Sequence, residues 1–207
     1  MVMCSMMGDL GMLEAVMEFG RKYNFGRGLK HPLKVRDLAL KIFDGTRRLG
    51  LHDMGTKERL WLEVAALLHD RGVSVGEEHH VYSKKLILES NELRESLDLL
   101  SLKIVAWIAF FHRKKPNPLE YSDVAWRKLL RSEYGDKIVK LAAILRIADA
   151  LDRSLWQVVE DIKLKRCDDA LSIEISSRGD ALTEIKRAQE KAWLFEKVFG
   201  LKLRVRP

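Results

Sequence analysis

The stretch Leu62–Gly72, LEVAALLHDRG, limits what this chain can fold into more than any other. Apolar residues at helical spacing run into a His-Asp pair, His69-Asp70, with Gly72 just behind it. A carboxylate at the mouth of a buried helix loses its hydration and needs a cation or a metal in exchange. One imidazole nitrogen and one carboxylate oxygen make half of a divalent-ion site. The other half stands at long range. His31 opens the helical segment HPLKVRDLALKIFD, where Pro32 suits a first turn because its missing N–H costs nothing there. Asp149 lies inside the apolar segment KLAAILRIADALDRS, where packing does not account for it. Arg153, one turn on, offers Asp149 an ordinary ion pair; the two histidines and the second aspartate offer it a metal instead. A second dipeptide, His52-Asp53, follows Arg47-Arg48-Leu49-Gly50 and precedes Gly55, so it reads as loop outside the site.

Hydrophobic periodicity predicts a mainly helical chain. Helices are expected over Asp9 to about Tyr23, His31–Leu49, Thr56 to the dyad, HHVYSKKLILES, Leu97–His112, Ser122–Ser132, and Asp136 to about Gln157. The texture then changes. DIKLKRC and LSIEISS alternate apolar and polar residues around Asp168-Asp169-Ala170, which is a hairpin signal. Leu182–Phe199 reads as a helix stopped by Gly200, and LKLRV as a last strand. The expected division is a helical domain over 1–157 and a small α/β unit over 158–207 with no evident catalytic group.

A net charge of +7 and a pI near 9.4 favour acidic ligands such as phosphates, nucleotides or polyphosphate. Cys4 and Cys167 are far apart and lack metal-ligand spacing, which points to a reducing cytoplasm without a disulfide framework. The first residues lack the pattern of a secretory signal, and no apolar run reaches membrane-spanning length. Charged residues make up 32% of the chain while amides are confined to Gln157, Gln189, Asn24, Asn91 and Asn117, a weak thermophile signature.

His31, His69-Asp70 and Asp149, each on its own helix, resemble the ordered pattern of the HD superfamily of metal-dependent phosphohydrolases. The segments LLHDRG, EEHHVYSKKLILES, AFFHRKKP, LAAILRIADALDRS and KAWLFEKVFGLKLRV are similar to the C-terminal half of the exopolyphosphatase / guanosine pentaphosphate phosphatase family, with RIADALDRS the most specific. The resemblance runs from about His31 to the end. It implies a helical HD bundle whose metal ligands are His31, His69, Asp70 and Asp149. Mixed imidazole and carboxylate donors suit Mn, Fe, Co, Ni or Zn better than Mg. His80 and His112 are candidates for a second metal or for phosphate contact; His79 competes with His80, and the sequence does not separate them. No acidic residue stands directly after the dyad as a general acid, so Glu77 and Glu78 are the candidates for that role, beside Asp70 as the catalytic metal-binding carboxylate. Lys30, Arg113, Lys114 and Arg153 are expected to rim a phosphate-binding cleft. Arg71, where that family more often has an aliphatic residue, either repels metal or holds phosphate.

Two functions are compatible with this reading. One is a stand-alone metal-dependent phosphohydrolase acting on a nucleotide, polyphosphate or other phosphate ester or anhydride. The other is a non-catalytic polyphosphate- or nucleotide-binding module partnering a separate actin-like phosphatase subunit, since no Gly-rich phosphate loop precedes the HD region. In full-length relatives this half also supports dimerisation, so a homodimer is among the expected states.

Overall fold

The computed structural model describes residues 2–73, 76, 78–113 and 115–207, with side chains from residue 11 onward. The structure is arranged around α8 (Gly135–Ala150), which is apolar on nearly every face. Ile138, Leu141, Ala142, Ala143, Ile144, Leu145 and Ile147 are all fully buried. A helix without a solvent face must be packed on all sides, and it is. α2 (Lys30–Arg48), α3 (Thr56–Leu68), α6 (Leu99–Phe110) and α9 (Leu182–Phe199) all pack against it, α9 most extensively. α1 (Val2–Arg21) lies outside α3, burying Met12, Val16 and Phe19. α4 (His79–Glu89), α5 (Asn91–Ser96) and α7 (Val124–Leu130) complete the helical part.

One cap and one predicted boundary need a physical account. α3 begins at Thr56, but its N-cap is Gly55, whose N–H donates to the Glu58 carboxylate at 2.8 Å. α8 stops at Ala150 instead of near Gln157. Asp152 turns inward and accepts the Gln157 N–H at 2.9 Å, while Leu155 and Gln157 take positive φ angles of 65° and 50°. That turn brings a second acidic side chain to the end of the helix.

The C-terminal alternation forms the predicted hairpin, helix and strand. β1 (Val159–Cys167) pairs antiparallel with β2 (Ala170–Ser177), Ile162 opposite Ile175 and Leu164 opposite Ile173. α9 then returns the chain so that β3 (Lys202–Arg206) runs parallel to β2. Among the described residues no helix is long and apolar enough to cross a membrane.

Candidate metal centre

The ends of several helices converge at the C-terminal end of α8, which carries Asp149. Buried His31 enters from the first turn of α2. The core residues of α3 carry the chain to His69, its C-cap, and Asp70 opens the turn that follows. Two glycines make this turn's backbone unusually accessible. A Cβ at Gly72 would lie 2.3 Å from the His79 carbonyl oxygen, so α4 sits directly on the turn, and the Gly72 N–H donates to Ser83 Oγ at 2.9 Å. A Cβ at Gly26, which also has a φ of +80°, would lie 1.9 Å from the Asp70 carbonyl oxygen. Only glycine lets that loop approach the dyad, and the approach delivers Arg27 Nε to 2.6 Å from Asp70 Oδ2.

The donor atoms face one another. Asp149 Oδ1 is 3.5 Å from His31 Nε2 and 3.5 Å from His69 Nε2. Asp70 contributes Oδ2 at 3.7 Å from His31 Nε2 and Oδ1 at 3.7 Å from His69 Nε2. Neighbouring ligands of one ion with bonds of 2.0–2.2 Å are separated by roughly 3.0–3.6 Å, so the cluster is close to the size of a coordination shell. The His69 Nε2 atom is buried without a hydrogen-bond partner at normal distance, which leaves its lone pair available to a cation. The donor set fits a divalent cation on these grounds.

Ring orientation is fixed from outside. Carboxylates and carbonyls here can only accept, so the Nδ1 atoms carry protons. His31 Nδ1–H donates to Asp152 Oδ2 at 2.8 Å, His69 Nδ1–H to the Ala66 carbonyl at 2.8 Å and His112 Nδ1–H to the Ala109 carbonyl at 2.6 Å. All three rings therefore turn Nε2 inward, the arrangement that sets tautomer and basicity in histidine metal sites. Asp152 carries no sequence signal of its own; the end of α8 at Ala150 is what swings it onto His31.

A second set shares Asp70. His79 Nε2 lies 3.2 Å and His112 Nε2 3.6 Å from Asp70 Oδ1, and the two nitrogens are 3.3 Å apart. Asp70, His79 and His112 thus form a second group able to hold an ion. His79, not His80, faces the centre. His80 points the other way, packed on Phe110 with ring centroids 5.0 Å apart, and burial with the charge of Arg113 drops it to about 4.

The cleft of about 770 Å³ over these residues is lined by the basic side chains Arg27, Arg113, Lys115, Arg153, Arg187 and Lys191. Arg113 and Arg153 are therefore at the expected rim. Lys30 is exposed and does not line the cleft, because the first turn of α2 directs His31 inward and its neighbour out. Arg71 is turned away from the phosphate side altogether. Its guanidinium is sandwiched 4.0 Å from the Phe19 ring and 3.8 Å from the Tyr23 ring, and Nη1 donates to the Gly20 carbonyl at 3.0 Å. It ties α1 to the dyad turn and is not among the residues lining the cleft. Glu78 is exposed at the N-cap of α4 and outside the lining. Glu77 and Lys114 lie outside the described residues. His52 bonds to Thr46 and Phe43 in the loop after α2, away from the centre.

Two further contributors lie outside the residues expected at the site. Lys191 of α9 pairs with Asp149 Oδ2, in the position where Arg153 seemed the natural partner. Arg146, fully buried in α8, donates to the carbonyls of Phe111 at 2.6 Å and Pro116 at 2.9 Å, fixing the loop that carries His112 and Arg113; burial lowers it to about 9.

The electrostatics are those of a compressed acid–base cluster. Burial opposes ionisation of Asp70 and Asp149. The His69, His79 and His112 groups outweigh it at Asp70, and Lys191, His31 and His69 outweigh it at Asp149, so both stay well below the ordinary carboxylate range. Burial pushes His112 well below its usual value. Burial also disfavours the charged form of His31, but hydrogen bonding to Asp149 and Asp152 and the charge of Asp70 lift it to about 9. A folded-state value above the unfolded one stabilises fully below the unfolded value near 6.5, and that contribution fades as pH rises toward 9. Metal-stripped protein is accordingly expected to lose stability on the order of 3 kcal/mol between about pH 6.5 and 9 through this group. Thermal melts in chelator across that range test it; a His31→Gln variant with the same slope as wild type would refute the assignment.

A fold of packed helices with His, His-Asp and Asp meeting at one centre defines an HD domain, and the HD domain family matches residues 28–154. The chain belongs to the HD family, a superfamily of metal-dependent phosphohydrolases. No curated protein matches the chain.

Proposed function

We propose that this chain is a metal-dependent phosphohydrolase acting on a nucleotide, polyphosphate or other phosphate ester or anhydride, and that it is related to exopolyphosphatases. The observation that carries the reading is a buried His31, His69 and Asp70 group, with Asp149 3.5 Å from both histidines, opening into a cleft with basic walls. His31, His69, Asp70 and Asp149 would hold one divalent ion, with Mn, Fe, Co, Ni or Zn favoured over Mg by the imidazole donors. Asp70, His79 and His112 would hold a second. Such an ion supplies Lewis acidity toward a phosphoryl oxygen and lowers the pKa of a water.

The chain's own residues do the rest. Arg27, Arg113 and Arg153 stand on separate segments around the cleft, so they orient an anionic group from several sides. Asp152 keeps the His31 ring in one tautomer and one orientation. With one ion bound at the first set and the second set empty, His79, between Asp70 and His112, would be free to hand a proton to or take one from a group entering the cleft. The non-catalytic module remains the alternative outcome, but no observation favours it over catalysis.

Purified protein assayed against a panel of phosphate esters and anhydrides with added Mn, Co, Ni or Mg tests the proposal. Hydrolysis that depends on metal and disappears with chelator is expected. Binding of pyrophosphate should also weaken by roughly threefold or more between about 0.05 and 0.5 M salt, as the basic rim is screened. Affinity that stays flat over that range would remove the electrostatic argument.

A further inference from the structure

We infer that α9, which lies beyond the residues matched by the HD family, supplies two phosphate-contacting side chains, Lys191 and Arg187, without which the site is incomplete. The inference rests on reading the cleft as a phosphohydrolase site. Lys191 is only 5% exposed, yet its ammonium reaches the cleft, where Asp149 Oδ2 is its one hydrogen-bond partner among the described residues. An ammonium has three donors, and Asp149 is already divided, its other oxygen facing His31 and His69. Donor capacity is left over in a place where leaving it unused is costly.

Arg187 sits one turn earlier on the same face of α9. Its Nη1 pairs with Glu190 at 2.7 Å, but its Nε is buried and has no hydrogen-bond partner, and the side chain lines the cleft. One turn earlier again, Glu184 is buried and accepts the Ser154 N–H at 2.9 Å, clamping the loop that carries Asp152 and Arg153. Three successive turns of α9 are therefore registered against the site, not against solvent. An unpartnered guanidinium N–H beside an ammonium with spare donors matches the diverging oxygens of a phosphoryl group. Inorganic phosphate and pyrophosphate share that chemistry and serve as probes.

The experiment uses the full chain loaded with Mn and titrates both probes by calorimetry, with melting temperature and metal content followed in parallel. Lys191→Met and Arg187→Gln are each expected to weaken phosphate binding by about tenfold or more, the loss of a charged hydrogen bond. Lys191→Arg should stay within a few-fold of wild type. Lys186→Met, which removes the same charge from the exposed face of the same helix, should leave affinity unchanged. Should Lys191→Met lose metal or fail to fold, Arg187→Gln decides alone, since its ion pair is to Glu190 and not to the metal cluster. Wild type that binds phosphate while Arg187→Gln binds it equally well overturns the α9 inference and leaves the phosphohydrolase reading intact. Wild type that holds neither metal nor phosphate overturns both.

Discussion

Asp70→Ala is expected to lose bound metal and nearly all hydrolysis. Asp70 is the one residue common to both candidate ion sets, with Oδ2 toward His31 and Oδ1 toward His69, His79 and His112. Deleting it should cost more than the 10–100-fold typical of residues that merely orient a ligand. Asp53→Ala, in the loop dipeptide, should change neither metal content nor rate. The check is metal analysis of the purified variants beside a phosphate-panel assay. Equal turnover by wild type and Asp70→Ala would refute the metal mechanism. A pure anion-binding module would respond in the opposite sense: with a carboxylate gone from a basic cleft, polyphosphate affinity should hold or rise.

The second large effect belongs to a residue outside the proposed coordination shell. Asp152 is fully buried and accepts from both His31 Nδ1–H and the Gln157 N–H. Asp152→Ala removes the group that keeps the His31 Nε2 turned inward, and metal affinity should fall about 10–100-fold. Asp152→Asn retains the shape and one accepting oxygen and should fall less. Calorimetric titration of metal into stripped protein measures both. An Asp152→Ala protein that takes up metal like wild type would show that His31 needs no external anchor.

Apart from His31, which opens a helix, the parts of the centre legible in the sequence share one property: they are polar residues where local pattern demands apolar ones. Asp149 inside KLAAILRIADALDRS and His69-Asp70 at the end of LEVAALL violate a helical periodicity that is otherwise strict. The parts that were not legible depend on where a turn sends a side chain or on contacts far along the chain. His79 and His80 differ by one residue at the start of a helix, and only the packing of α4 on Gly72 decides which of them meets Asp70. Arg71 adjoins the dyad in sequence, but the turn at the end of α3 sends it under α1 to Phe19 and Tyr23. Lys191 stands 42 residues from Asp149, and no local rule pairs an ordinary-looking surface lysine with a distant aspartate. The mainly helical fold and the C-terminal strands were readable because periods of 3.6 and 2 survive without knowledge of tertiary contacts.

The all-round burial of α8 has a practical corollary. The family match stops at residue 154, which invites expression of a shortened protein ending there. Such a piece would lack α9, and the side of α8 that α9 covers would be laid bare. A continuous apolar strip on a surface is an aggregation liability, and the same cut would leave Asp149 without its lysine. The boundary of recognisable kinship and the boundary of the packed helical unit are different lines on this chain, and a shortened protein is better drawn along the second.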